Sequence, residues 1–211
     1  MIQELRRYSI MPGRMPDMHL RMRDTLLPMF EQLNVPRPQI IWSSCDDVFS
    51  WILAWESYEQ RQAGWSRVYP AWHKIKMSLG DQEFVTQTEL TLIQPWLQMP
   101  SFQRVKQGSC ETAWHVRPHI SHVGRFREAC LETVFAGFQK AGATSVAGFD
   151  MLFGPLPQML ILVSWPDPQL RQAASALSAP HIERCRGASG DLTAPALVSE
   201  RSEFLDRAGY L

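Results

Sequence analysis

The sequence predicts an α+β fold built twice over, two βαββαβ units in tandem whose sheets pack into an α/β-barrel. A long-range self-match is the first observation. Residues 55–63 read WESYEQRQA and residues 165–173 read WPDPQLRQA, so at an offset of 110 Trp55, Arg61, Gln62 and Ala63 recur as Trp165, Arg171, Gln172 and Ala173. The same offset carries Pro70 onto Pro180 and Gly80-Asp81 onto Gly190-Asp191. Copies of roughly 100 residues are far longer than a solenoid unit, which makes this a duplicated domain. The second observation is periodicity, which runs strand, helix, strand, strand, helix, strand in each copy. The third is bulk: 211 residues, 45% of them hydrophobic, suffice for two small cores. The expected division is a first repeat over 1–98, a linker over 99–109, and a more divergent second repeat over 110–211.

Ile2–Ile10 alternates as a strand does, with Glu4, Arg6 and Tyr8 on one side and Leu5 on the other. Met11-Pro12-Gly13 is a turn. Met15, Met18, His19, Met22, Leu26, Met29 and Phe30 then fall at helical spacing, with Pro28 expected to kink or shorten that helix. The cluster from Asn34 to Pro38 ends it. Gln39–Ser43 and Val48–Glu56 read as a hairpin, whose second strand sets Phe49, Trp51, Leu53 and Trp55 on one face. Tyr58 to Val68 is helical, a loop containing Pro70, Trp72 and His73 follows, and Phe84–Gln94 closes the unit as a strand. In the second copy the strands are Cys110–Arg117, Thr144–Phe153, Gln158–Trp165 and Leu197–Asp206. Its helices are Val123–Ala141 and Pro168–Leu177. Two such units are the split-βαβ, ferredoxin-like arrangement.

Composition narrows the function classes. Lys plus Arg equals Asp plus Glu, 21 against 21, and no basic stripe marks a nucleic-acid surface. No apolar stretch reaches membrane-span length, and the N-terminal residues lack a signal peptide's apolar core. Cys45, Cys110, Cys130 and Cys185 are widely spaced, which fits reduced thiols and a cytoplasmic setting. There is no Gly-x-Ser-x-Gly and no phosphate-cradling glycine loop, so hydrolase and nucleotide-binding readings are weak. A homodimer is compatible with the pattern.

The strand Glu4-Leu5-Arg6-x-Tyr8, the turn Pro12-Gly13-Arg14, His19, and the later Trp55, Arg61 and Trp65 together resemble the NIPSNAP family, within the dimeric α/β-barrel superfamily. The second copy keeps Trp165 and Arg171 but has neither the LRxY strand nor the PGR turn. The motifs therefore concentrate in residues 1–75. The resemblance implies a fold more than a function. Relatives in the superfamily resemble cofactor-independent monooxygenases, cyclases, isomerases and haem-handling enzymes, which share a pocket between sheet and helices or inside the barrel.

Candidate chemistry is weighed against plainer roles. Arg6, Tyr8, Glu4 and Glu89 can converge if the first and last strands of the unit are neighbours, placing Glu89 beside Arg6 or Tyr8; the plainer role is a structural salt bridge. His19, on an apolar helix face, is a candidate general base or a hydrogen-bonded core residue. Trp42, Trp51, Trp55, Trp65 and Trp72 are candidate walls for a flat ligand or simple core filling, and the recurrence of Trp55 as Trp165 favours packing for that one. Arg61 and Arg171 recur in both copies and read as structural ion pairs. His115, His119 and His122 have a spacing that matches no standard metal site, so no metal is expected. With these residues, the resemblance implies a cofactor-independent enzyme of isomerase, cyclase or monooxygenase type acting on a small apolar or aromatic metabolite. In that enzyme His19, Tyr8 and Glu89 are catalytic, and Arg6, Trp42, Trp51 and Trp72 bind substrate. The alternative is a non-catalytic ligand-binding or protein-interaction scaffold.

Overall fold

A computed structural model describes residues 1–96, 109–154, 156–174 and 197–210. Most of the expected linker, together with Pro180, Cys185 and Gly190-Asp191, lies outside the described residues. Two compact units emerge: Met1–Ile93 joined by the C-terminal residues from Ala208, and Gln94–Arg207.

In the first unit the order is β1 (Ile2–Ile10), α1 (Met15–Arg21), a π-helical turn (Met22–Leu26), α2 (Leu27–Gln32), β2 (Ile40–Ser44), β3 (Val48–Trp55), α3 (Tyr58–Leu79) and β4 (Val85–Pro95). The strands pair antiparallel in the order β4-β1-β3-β2. Asn34 takes φ 51°, the left-handed conformation that stops a helix, just after α2. Phe49, Trp51, Leu53 and Trp55 pack beneath Met18, Met22, Phe30, Trp65 and Val68, so the alternation of β3 faces the helices as expected.

The second unit comprises β5 (Cys110–Pro118), α4 (Val123–Ala129), a π-helical turn (Cys130–Val134), α5 (Phe135–Lys140), β6 (Ser145–Met151), β7 (Gln158–Trp165), a helical stretch over 168–174 and β8 (Leu197–Arg207). Its strand order, β8-β5-β7-β6, is the same split-βαβ order. Within each unit all strand pairs are antiparallel.

Two local features differ from the sequence reading. The first is α3, which runs unbroken through Pro70 to Leu79, where a loop was expected after Val68. An interior proline loses one backbone hydrogen bond. Trp65 and Val68 before it, and Ala71, Trp72 and Ile75 after it, pack on one core and offset that loss. The second is Pro28, which does not kink a continuous α-helix. The preceding turn widens instead, the Leu27 N–H bonding to the Met22 carbonyl, and Pro28 sits in the first turn of α2 where no N–H is needed. The second unit repeats this irregularity without a proline, the Phe135 N–H bonding to the Cys130 carbonyl.

Ser57 starts α3 by accepting the Gln60 N–H at 3.2 Å, and Asp167 accepts the Leu170 N–H at 2.7 Å at the corresponding place in the second unit. Helix α3 lies so near β3 that a Cβ on Gly64 would stand 2.6 Å from the Trp55 ring. That close approach sets the orientation of Trp55. No helix among the described residues is long and apolar enough to cross a membrane.

Candidate functional site

The site starts from the alternation of β1. Glu4, Arg6 and Tyr8 point toward the helices of the first unit. Glu4 is completely buried, and a buried carboxylate needs several donors. It has four. Arg6 Nε donates to one oxygen at 2.6 Å; Arg61 Nε, Trp65 Nε1 and Trp55 Nε1 donate to the other at 2.7, 2.9 and 3.1 Å. Burial alone would raise its pKa, but the Arg6 charge and the hydrogen bonds from Trp65, Arg6 and Arg61 outweigh it and hold Glu4 below the usual carboxylate range. Arg61 thus forms the structural ion pair expected of it.

Anchored by Glu4, the Arg6 guanidinium lies over the Trp65 ring, its Cζ 3.6 Å from the centroid. Its two terminal nitrogens donate to two phenols, Tyr8 Oη at 3.5 Å and Tyr69 Oη at 3.4 Å. Burial pushes the Tyr8 hydroxyl up against the opposing pull of Arg6, so it remains protonated at neutral pH. Tyr8 also meets Trp51 edge to face at 6.1 Å.

These groups open onto a cavity of about 400 Å³ between the sheet and the helices of the first unit. Phe30, Trp51, Trp65 and Trp72 supply its aromatic walls. At another part of the lining Arg21 donates to Glu83 at 2.7 Å and lies 3.8 Å from the Phe84 ring. Burial would raise the Glu83 carboxyl, but Arg21 and the N–H groups of Val85 and Phe84 hold it down. Lys76 adds a further positive charge.

Of the residues singled out in the sequence, Arg6, Tyr8, Trp51, Trp65 and Trp72 meet at this cavity; His19, Glu89, Trp42 and Trp55 do not. The β1–β4 register sets Glu89 opposite Arg7 rather than beside Arg6 or Tyr8. Arg7 lies on the other face of β1, and the Glu89 carboxylate, 3.8 Å from it, is 57% exposed. Trp42 pairs with Ser50, so it is buried on the sheet face opposite Trp51. His19 is held between Tyr210 Oη (2.9 Å from Nδ1) and Ser43 Oγ (3.3 Å from Nε2), and burial lowers its pKa. Tyr69, Arg21 and Glu83 were not singled out. Tyr69 sits where the helix was expected to have ended, and the ion pair of Arg21 with Glu83 joins positions 62 apart that share no local pattern.

The second unit lacks this cluster. Ile2 pairs with Trp55 and Cys110 with Trp165, so Thr112, Trp114 and Val116 occupy the places of Glu4, Arg6 and Tyr8. Trp165 Nε1 donates to Thr112 Oγ1 at 3.1 Å, as Trp55 does to Glu4. Trp114 is buried against Phe126 where Arg6 would stand. Arg171, the counterpart of Arg61, donates to the backbone carbonyls of Glu111 and Leu205 and lies 3.7 Å from Asp206. Among the described residues no group of three His, Cys, Asp or Glu side chains is arranged to hold a metal ion; His115 lies 3.4 Å from Glu203 instead.

No family model matches the chain, and no curated protein matches it. Solved structures do. A monooxygenase candidate from Lactobacillus acidophilus is similar over 98% of this chain and 93% of its own, with 8% identity and a TM-score of 0.61. An anthrone oxidase-like protein matches over 98% and 91%, with 9% identity and a TM-score of 0.64. A protein described as a major regulator of staphylococcal pathogenesis matches over 96% and 97%, with 10% identity and a TM-score of 0.55. The likeness shows the fold. At such identity it transfers no reaction.

Proposed function

We propose that the first unit is a small-molecule site in a NIPSNAP-like α/β-barrel protein, working as a cofactor-independent enzyme of the isomerase, cyclase or monooxygenase type on an aromatic metabolite. One observation carries the reading: an aromatic-walled cavity ends in an arginine hydrogen-bonded to two phenols. Trp51, Trp65 and Trp72 take the flat body of the ligand, while Arg6, Tyr8 and Tyr69 hold its polar end. A protonated phenol beside a guanidinium stabilises negative charge as it develops on a substrate oxygen. The NIPSNAP motifs of residues 1–75 favour the same half of the chain, and the anthrone oxidase-like neighbour makes a tricyclic ketone the natural first compound to try. Free thiols at Cys45 and Cys110 favour a cytoplasmic setting.

The test is tryptophan fluorescence against a panel of small aromatic compounds, followed by aerobic turnover of anthrone to its quinone. Saturable quenching is expected. Tyr8→Phe should lower kcat/KM by about 10–1000-fold, the effect of removing one donor to a developing oxyanion. Quenching and turnover unaffected by Tyr8→Phe and by Trp72→Ala would sink the enzyme reading.

A second reading, a ligand-binding protein without turnover, is favoured by one feature of the lining. Its carboxylate, Glu83, is locked to Arg21 and to two backbone N–H groups. Saturable quenching with no product would select that reading.

A further inference from the structure

We infer that the cavity takes its ligand as an anion, a planar aromatic oxyanion of the phenolate or enolate kind whose charged oxygen sits against Arg6, Tyr8 and Tyr69. This rests on the reading of the cavity as a small-molecule site and says which form of the molecule it selects.

Hydrogen-bond direction is the first argument. A guanidinium only donates, so the phenol oxygens of Tyr8 and Tyr69 must both accept from Arg6. Each phenol then keeps its own O–H free to donate. Arg6 gives Nε to Glu4 and one hydrogen from each terminal nitrogen to the phenols, and two further N–H groups remain for a ligand. The apex is therefore a cluster of donors, and it suits an acceptor with full negative charge.

Charge is the second argument. Arg6, Arg21 and Lys76 line the cavity against a single carboxylate, Glu83, a surplus of two positive charges. Behind the wall Glu4 is shared by Arg6 and Arg61, and because its negative charge comes with the additional positive charge of Arg61, the surplus is unchanged. An uncharged aromatic would fill the volume and leave the surplus uncompensated in a partly desolvated space.

The described lining residues also offer no free proton acceptor. Glu83, the one carboxylate among the described lining residues, already accepts from Arg21 at 2.7 Å and from two backbone N–H groups. The imidazole of His19 is not among the lining groups and is engaged with Tyr210 and Ser43. The lining can hold an anion but cannot generate one. The ligand's proton goes to bulk water, and the donor cluster at Arg6, Tyr8 and Tyr69 stabilises the anion left behind.

The experiment uses para-nitrophenol, whose ionised form has its own visible absorbance, beside para-nitroanisole, which keeps the flat ring and nitro group but is methylated on that oxygen and cannot ionise. Below the acid constant of the free phenol, saturating protein should raise the ionised fraction. The phenolate should bind about tenfold or more tighter than the anisole. Tyr69→Phe, at an exposed rim position, should cut that preference severalfold without unfolding the chain, and Arg6→Gln should abolish it. Equal binding of phenol and anisole, with no gain in ionised fraction, overturns the anion inference while leaving the cavity reading intact. Failure of both compounds to bind overturns it as well. The cavity reading itself falls only if the whole aromatic panel fails to quench.

Discussion

Arg6 and Trp65 are joined twice over: the guanidinium lies 3.6 Å above the indole ring, and the N–H of that same indole donates to Glu4, the carboxylate that holds Arg6. The ring face takes the cation and the ring edge feeds the anion. Glu4 therefore acts as a positioning residue for whatever Arg6 does at the cavity, through Trp65 as well as directly.

Removing the Glu4 charge should cost both stability and ligand affinity. Glu4→Gln leaves Arg6 and Arg61 without their shared buried anion, and breaking such a group costs about 3 kcal/mol. A denaturation midpoint in urea reads this directly. A variant as stable as the parent would show that Trp55 and Trp65 carry the packing unaided.

Three carboxylates give stability a pH dependence of two signs. Glu4 and Glu83 are held low, so their contribution is present at neutral pH and is lost as pH falls through their folded values. Glu111 is the reverse. Burial raises it, against the pull of Arg207, from 4.5 to about 7. The folded state then binds its proton more readily than the unfolded chain does. Its ionisation costs about 3 kcal/mol, fully felt above the folded value and absent below the unfolded one. Stability should rise as pH drops from about 8 to about 5, then fall as Glu4 protonates. Glu111→Gln should flatten the first limb in urea melts taken across pH. An unchanged slope would place the titrating group elsewhere.

His19 should matter to the C-terminal residues and not to the cavity. Its imidazole is 2.9 Å from Tyr210 Oη, and burial depresses its pKa, so the neutral ring is the folded form. Burial disfavours the charged ring, and the stability held by the neutral form is lost as pH falls through the folded value, below the ordinary histidine value of about 6.5. Limited proteolysis should release the C-terminal residues faster under acid and in His19→Ala, with quenching by cavity ligands unaltered. A loss of quenching in His19→Ala would restore the imidazole to the site.

Some of this was legible along the chain. Glu4, Arg6 and Tyr8 alternate with Leu5, and two-residue periodicity alone puts them on one face. Phe49, Trp51, Leu53 and Trp55 disclose the core face of β3 in the same way. Tyr69 was hidden because Pro70 reads as a helix stop, whereas Trp72 and Ile75 repack beyond it and the helix continues. Glu89 shows the limit of strand reasoning. Knowing that β4 neighbours β1 does not give the register, and a shift of one residue moves a side chain from the Arg6 face to the Arg7 face.

By itself the sequence determined the class of fold, the βαββαβ order of each half, and the concentration of polar residues on β1, because periodicity and punctuation are local properties written into neighbouring residues. Tertiary structure alone decided which of those residues meet. Arg6 reaches Tyr69 across 63 positions, and Glu4 gathers donors from β1, β3 and α3. It also decided that the second unit, with the same backbone order, fills the corresponding place with Trp114. The reason is physical. A buried charge is tolerated only where partners from distant segments converge on it, and that convergence is a property of packing.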